Sequence, residues 1–374
     1  MKTRISSWLA LPLLLLTGCP SGGGGDGGFG TPGTTSRLYV VNAGSDNVSG
    51  YTMDTTTGAL TAIAGSPFSG VTNPTAIVVS PTGSQAYVTN QGGSVSAFTI
   101  NGSTGALVPV AGSPVSVGTN PSAVVISPNG QFLYTANGGG NVSAFTVTAG
   151  SGTLNTVSGS PFAAGTTPVG VVVSPSGSFL YVANAGSNNI SAYTINSSTG
   201  ALTIIGGAPF ATGGSIATGI TISPNEEFLF VSNGGSNTVS VFSIDGITGA
   251  LTAVAGSPFA AGTDLKGSPL ISPNGAFLYV ANGSNNNVIG FTINNSTGAL
   301  TAMSGSPFTA GSIPIGITLN AAGQFFYAAN SGGGNVSAYT IAAGTGVLTP
   351  LNGSLGNPFS AGTGPSGIAM PGRP

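Results

Sequence analysis

Val124-Val-Ile-Ser-Pro-Asn-Gly-Gln-Phe-Leu-Tyr-Thr-Ala-Asn-Gly-Gly-Gly-Asn-Val-Ser-Ala-Phe-Thr-Val147 holds three short apolar runs divided by Ser-Pro-Asn-Gly and Asn-Gly-Gly-Gly. Runs of this length, rich in β-branched and aromatic residues and bounded by Gly, Pro and Asn, read as strands joined by tight turns. The central run ends at Asn137, and the same ending recurs along the chain. Tyr39-Val-Val-Asn42, Tyr87-Val-Thr-Asn90, Tyr134-Thr-Ala-Asn137, Tyr181-Val-Ala-Asn184, Phe230-Val-Ser-Asn233, Tyr279-Val-Ala-Asn282 and Tyr327-Ala-Ala-Asn330 close on asparagines spaced 48, 47, 47, 49, 49 and 48 residues apart. A Thr-Gly-Ala-Leu turn at 57–60, 104–107, 199–202, 248–251 and 297–300 introduces a fourth strand, and Ser-Pro-Phe at 66–68, 160–162, 257–259 and 306–308 closes the unit. Four strands repeated at this period make one propeller blade, and seven copies make an all-β, seven-bladed β-propeller.

The termini predict how the ring closes. The first copy starts at Arg37-Leu-Tyr39 with no inner strand before it, and the chain ends on an unpartnered one, Gly367-Ile-Ala-Met-Pro-Gly372. The C-terminal strand is therefore expected to complete the N-terminal blade, which removes the open edges that template aggregation.

Ahead of the repeats, Lys2 and Arg4 precede an apolar stretch, Trp8 to Leu16, too short to span a bilayer, and Leu16-Thr17-Gly18-Cys19 follows directly. This is similar to the bacterial lipobox, which predicts a signal peptide over 1–18 and a lipidated Cys19, the sole cysteine of the chain. Residues 19–36, mostly Gly, Ser, Thr and Pro, read as a lipidated flexible tether whose coil spans about 20–25 Å. Residues 37–374 are the propeller. The expected location is extracytoplasmic, held by lipid in the bacterial cell envelope; Pro20 in place of an aspartate after the cysteine favours the outer membrane.

Charged residues make up only 3% of the chain, and beyond the signal the basic ones are Arg37, Lys266 and Arg373. So few cations cannot neutralise a row of phosphates, which excludes nucleic acid as a partner. The chain has no histidine, and neither metal-ligand spacing nor a phosphate loop nor a nucleophile motif is found, so no metal, cofactor or catalytic residue is assigned.

Tyr87-Val-Thr-Asn90, with the Ser-Pro-Asn-Gly turns and Thr-Gly-x-Leu hairpins, resembles the YVTN or lactonase-like seven-bladed β-propeller family over residues 37–374. That family includes 6-phosphogluconolactonase-like enzymes and the muconate-lactonising enzyme; for the latter, the resemblance implies a site of His, Glu and Arg at the central channel. Here histidine is missing, and Arg37 and Arg373 lie beside the termini. Lactone opening needs a base to activate water and donors to hold the oxyanion, and a phosphorylated substrate needs cations.

The acids of the repeats do not assemble such a set. Asp46, Asp54 and Asp245 stand at turn positions where sister copies carry Asn or Thr, and Glu226-Glu227 replaces Gly130-Gln131 of an equivalent turn, which reads as a solvated loop. One departure from the repeat stands out. Where a sister copy reads Gly165-Thr-Thr-Pro-Val-Gly170, the sixth reads Gly262-Thr-Asp-Leu-Lys-Gly-Ser-Pro269, ahead of its inner strand. Asp264 and Lys266 are therefore the candidate ligand rim, with Lys266 placed to orient an anion or simply to pair with Asp264. The sequence favours a membrane-anchored binding or scaffolding propeller, with a protein or small ligand at its face, over catalysis. The alternatives are a lactone hydrolase and a structural envelope component.

Overall fold

The computed structural model describes residues 36–371. The expected signal peptide, Cys19 and nearly all of the tether lie outside these residues. Seven antiparallel sheets follow one another, each running from an inner strand through three more in sequence order. The third blade is representative: Pro121–Ile126 inside, then Phe132–Asn137, Asn141–Val147 and Leu154–Thr156 outside. In six blades the unit ending, Pro-Phe in five and Pro114-Val115 in the second, adds a two-residue strand, such as Phe162–Ala163, that pairs with the third strand beside the fourth. In the first blade Phe68 makes the same pairing with Val48 as a single bridge. Adjacent inner strands contact one another in a closed cycle.

The ring closes as the termini predict. Pro365–Ala369 pairs with Ser36–Asn42 through Tyr39·Ala369, Val40·Ile368, Val41·Gly367 and Asn42·Pro365, giving the first blade its inner strand. Met370, one residue beyond, is buried with Leu38, Phe325 and Tyr327.

The second strand of every blade is buried along its whole length or nearly so, because both its faces meet neighbouring sheets. That explains why these strands read as continuous apolar runs rather than alternating ones. The polar residues they carry are satisfied only in part: among the described residues the Oδ1 atoms of Asn42, Asn184, Asn233, Asn282 and Asn330 and the Nε of Arg37 are buried without a hydrogen-bond partner, whereas the amide nitrogens are used. Each terminal asparagine turns its amide onto the third strand: Nδ2 donates to Ser49 Oγ from Asn42 at 3.0 Å, to Ser143 Oγ from Asn137 at 2.9 Å and to Ser240 Oγ from Asn233 at 2.8 Å. The recurring Asn-Val-Ser triplets thus supply the acceptors for these buried amides and have no need of a surface role.

Tyrosines latch the blades together. The hydroxyls of Tyr39, Tyr87, Tyr134, Tyr181, Tyr279 and Tyr327 donate to the carbonyls of Gly105, Gly152, Gly200, Gly249, Gly346 and Gly58, each on the turn before the outer strand of the next blade, at 2.6–3.1 Å. The fifth blade carries Phe230, which is fully buried and has no hydroxyl to offer Gly298 of the sixth. Phe230→Tyr is expected to complete the set and stabilise the protein by about 1 kcal/mol, a rise of roughly 1–2 °C in Tm. Thermal melting followed by circular dichroism checks it, and a lower Tm would mean that the fifth interface has no room for the oxygen.

Candidate functional site

The inner strands end each sheet, so only one edge of each is paired, and backbone N–H and C=O groups of the free edge face the ring axis. Proline tolerates such an edge because no ladder bond is lost there, which fits Pro74, Pro121, Pro168, Pro314 and Pro365 at the strand starts. On the axis lies a cavity of about 460 Å³. Its wall is made by the later residues of all seven inner strands: Ile77–Val79, Val124 with Val125, Val171–Val173, Ile220–Ile222, Ser268–Ile271, Ile317 with Thr318, and Ile368–Met370. Pro175, Pro224, Pro273 and Ala321, from the turns after these strands, line its mouth.

At the opposite end the strands crowd together. A Cβ on Gly219 would fall 2.3 Å from Ser268 Cα, and one on Gly367 would fall 3.2 Å from Ala76 Cα, so these positions require glycine or something that shifts the neighbour. Hydroxyls cross between neighbouring inner strands there, with Ser366, Thr75 and Ser122 donating to the carbonyls of Pro74, Pro121 and Pro168 at 2.7–2.8 Å. The cavity is therefore a funnel, narrow where the strands begin and open at the turns where they end.

Among the described residues no ionisable side chain lines it, and no three His, Cys, Asp or Glu converge on a metal-sized site. Its side-chain polarity comes from Thr221, Ser268 and Thr318, which fall on the consecutive fifth, sixth and seventh blades; the second to fourth blades present only Val and Ile from their inner strands.

Asp264 and Lys266 sit at the narrow end and meet each other. Lys266 Nζ lies 2.7 Å from Asp264 Oδ1, with both side chains about two-fifths exposed. Lys266, and then the Ser284 hydroxyl that donates to Oδ2 at 2.5 Å, hold the Asp264 carboxyl below the usual carboxylate range. The Asp264 backbone N–H donates to Asn237 Oδ1 at 2.9 Å, and its φ of 60° is left-handed. Asn73, Asn120, Thr167, Ile216, Ile313 and Gly364 adopt the same conformation immediately before the other inner strands, so the backbone here belongs to the repeat. Cavity-facing residues on this strand begin at Ser268; the Asp264–Lys266 pair is not among them.

The remaining acids serve the scaffold. Asp54 Oδ1 accepts from the N–H groups of Thr56 and Thr57, and Asp245 Oδ1 from those of Ile247 and Thr248; these bonds lower both carboxyl pKa values. Asn101, Asn196 and Asn294 make the same turn in sister blades. Asp46 Oδ1 accepts from the Asn73 N–H at 2.5 Å, across to the next blade. Glu226 has a φ of 60° where Gly83, Gly130, Gly177, Gly275 and Gly323 occupy the sister turns, and its Oε2 accepts from Ser176 Oγ at 2.9 Å, clasping the fourth blade. Solvated as expected, it also ties two blades together.

What the sequence reading missed is the irregularity beside Lys266. Gly262–Ser272 is one residue longer than its counterpart Gly165–Ser174. Pairing with the second strand therefore jumps from Lys266·Ala281 to Leu270·Tyr279, where sister strands skip a single residue. The extra Gly267 was visible as a length difference, but its effect on where Ser268 points required the ladder.

Comparison with known proteins follows this geometry. A family model described as lactonase, seven-bladed β-propeller, matches residues 30–216, 153–266 and 261–360. No curated protein matches the chain. Among solved structures, a candidate 6-phosphogluconolactonase from Bacteroides uniformis superposes with a TM-score of 0.79 at 20% identity, covering 90% of this chain and 100% of its own. The periplasmic gluconolactonase PpgL of Pseudomonas aeruginosa gives 0.75 at 20% identity, covering 91% and 99%. At that identity the two structures speak for the fold alone. The family model, which spans the repeats from the first blade to the last, shows that the chain belongs to the lactonase family of seven-bladed β-propellers.

Proposed function

We propose that this chain is a ligand-binding propeller with the lactonase fold, displayed outside the cytoplasm on a lipid-modified Cys19, and that its site is the axial cavity. One observation carries the reading: the cavity draws described residues from all seven blades, and none of these is ionisable. Hydrolysis of a lactone begins with a water made nucleophilic by a base and ends with a proton delivered to the leaving oxygen. The backbone N–H groups of the free strand edges are suited to holding a carbonyl oxygen, yet none of the wall's side chains can accept the proton from water near neutral pH. Binding is thus served by what lines the cavity and acid–base catalysis is not.

The second reading is lactone hydrolysis, and family membership favours it: the match to the lactonase model runs through nearly the whole propeller, and neighbours of the same fold are named for gluconolactone and 6-phosphogluconolactone chemistry. This support is broader than anything that favours the scaffolding or envelope roles, which rest on the expected anchor and tether. Incubating the propeller with 6-phosphogluconolactone and with unphosphorylated lactones separates the two readings. The binding reading expects saturable binding of an unphosphorylated lactone with ring opening no faster than in buffer. Saturable turnover of either substrate would establish the hydrolase instead.

A further inference from the structure

One inner strand of the cavity wall breaks its ladder further than its sisters do. On the sixth blade Gly267, with a φ of 60°, lets the inner strand leave its ladder, and Ser268 is exposed into the lumen with no hydrogen-bond partner among the described residues. Its backbone lies against Gly219 of the fifth blade, where even a Cβ would not fit, so the hydroxyl is presented from a fixed main chain. Thr221 and Thr318 flank it on the adjoining blades, and the wall opposite is aliphatic.

Such a surface selects its ligand by what it lacks. An anion would surrender its hydration to a wall in which no described residue is a cation, and a polyhydroxylated sugar would set most of its hydroxyls against valine and isoleucine side chains, with only the free strand edges to receive them. We infer that the cavity takes a neutral, mainly aliphatic molecule bearing a single carbonyl or ester group, whose oxygen accepts from the Ser268 hydroxyl. The inference rests on the cavity being the binding site. Its volume of about 460 Å³ is in the range of pockets that enclose small organic ligands, and an alkyl chain packed on the second to fourth blades supplies the affinity that one hydrogen bond cannot.

Two lactones test this, because they share a six-membered ester ring and differ in what it carries. δ-Dodecalactone bears an alkyl tail and D-glucono-δ-lactone bears hydroxyls. Titration calorimetry on the propeller, residues 36–374, whose sheets all close among themselves, is expected to show δ-dodecalactone binding at least roughly 100-fold more tightly, since each buried CH₂ adds about 4-fold. Ser268→Ala is expected to weaken δ-dodecalactone about 5-fold and to leave bicyclohexyl, a hydrocarbon with no acceptor, unchanged. Equal binding of the two lactones, or a preference for gluconolactone, overturns the ligand class. Unaltered δ-dodecalactone affinity in Ser268→Ala overturns the anchor. Val124→Trp and Ile222→Trp combined narrow the cavity from two different blades. If δ-dodecalactone binds the double variant, folded at the parent Tm, with unaltered affinity, the cavity is not the site and the proposed function itself fails.

Discussion

Raising the pH from 10 to 12 is expected to unfold the propeller abruptly. The six latch tyrosines are buried, and desolvation lifts Tyr39 to about 12 and holds Tyr87, Tyr134, Tyr181, Tyr279 and Tyr327 well above the ordinary phenol value. Burial disfavours the phenolate, and each hydroxyl donates its proton to a glycine carbonyl that a phenolate would repel. Since the folded value lies above the unfolded one, the stabilisation is complete below pH 10 and drains away as the pH climbs through the folded value. Each phenol then gives up about 1.4 kcal/mol per pH unit, so six together remove roughly 8 kcal/mol per unit, comparable to the whole stability of an ordinary domain. Circular dichroism and tyrosinate absorbance near 295 nm, recorded on the same samples, should change together with a midpoint between 10 and 12. If the absorbance rose near pH 10 while the sheet signal held, the hydroxyls would be open to solvent and the latches would not exist.

No such cliff is expected on the acid side. The carboxyls held below their usual range are Asp54, Asp245 and Asp264. Their stabilisation is present above the unfolded carboxylate value and lost as the pH falls through the lower folded value. Asp54 and Asp245 are on exposed turns and Asp264 is half-exposed, so the loss is small. With no histidine in the chain, no imidazole is present to titrate between these limbs. The asymmetry is a direct product of composition: a protein with few charges keeps its pH sensitivity in its tyrosines.

The seven copies, their four strands and the closure across the termini were legible because repetition amplifies each weak local signal. One Tyr-Val-Thr-Asn is ambiguous, whereas seven at a near-constant spacing leave no other architecture. The latches were not legible, since a tyrosine that fills an inter-blade gap and one that also donates a hydrogen bond look alike until Gly200 is found against Tyr134. The same limit governs the candidate site. Repeat comparison singled out the segment from Gly262 to Pro269, where the ladder is indeed irregular, and fastened on its charges, because charge is conspicuous in so neutral a chain. The structure turns Lys266 onto Asp264 and gives the lumen to the less conspicuous Ser268. Which side of a bulge a residue faces depends on the pairing of its neighbours, and composition carries no record of that.

Removing residues 365–374 is expected to cost the ring its integrity rather than a single strand. Ser36–Asn42 would lose its inner partner, the cluster around Leu38 and Tyr327 would lose Met370 and Ile368, and the bridge from Ser366 to Pro74 that joins the first blade to the second would go. Burial of the two side chains and the broken ladder sum to roughly 6–10 kcal/mol, and the exposed edge invites pairing between molecules. Tm is expected to fall by roughly 8–14 °C, with a broadened transition and aggregation on heating. A circular permutant separates the loss of these residues from the loss of closure. Ala369 pairs with Tyr39 as Val125 pairs with Tyr134 in the third blade, where residues 126–133 complete the hairpin. Joining Pro371 to Arg37 through a Gly/Ser/Asn turn that restores this length, with new ends opened in the exposed turn at Asn295 to Thr297 instead, keeps every strand and makes the first blade continuous. That permutant should melt cooperatively near the parent temperature. Were the truncated chain to do so as well, the C-terminal strand would be an ornament and the ring would be held by the six continuous blades alone.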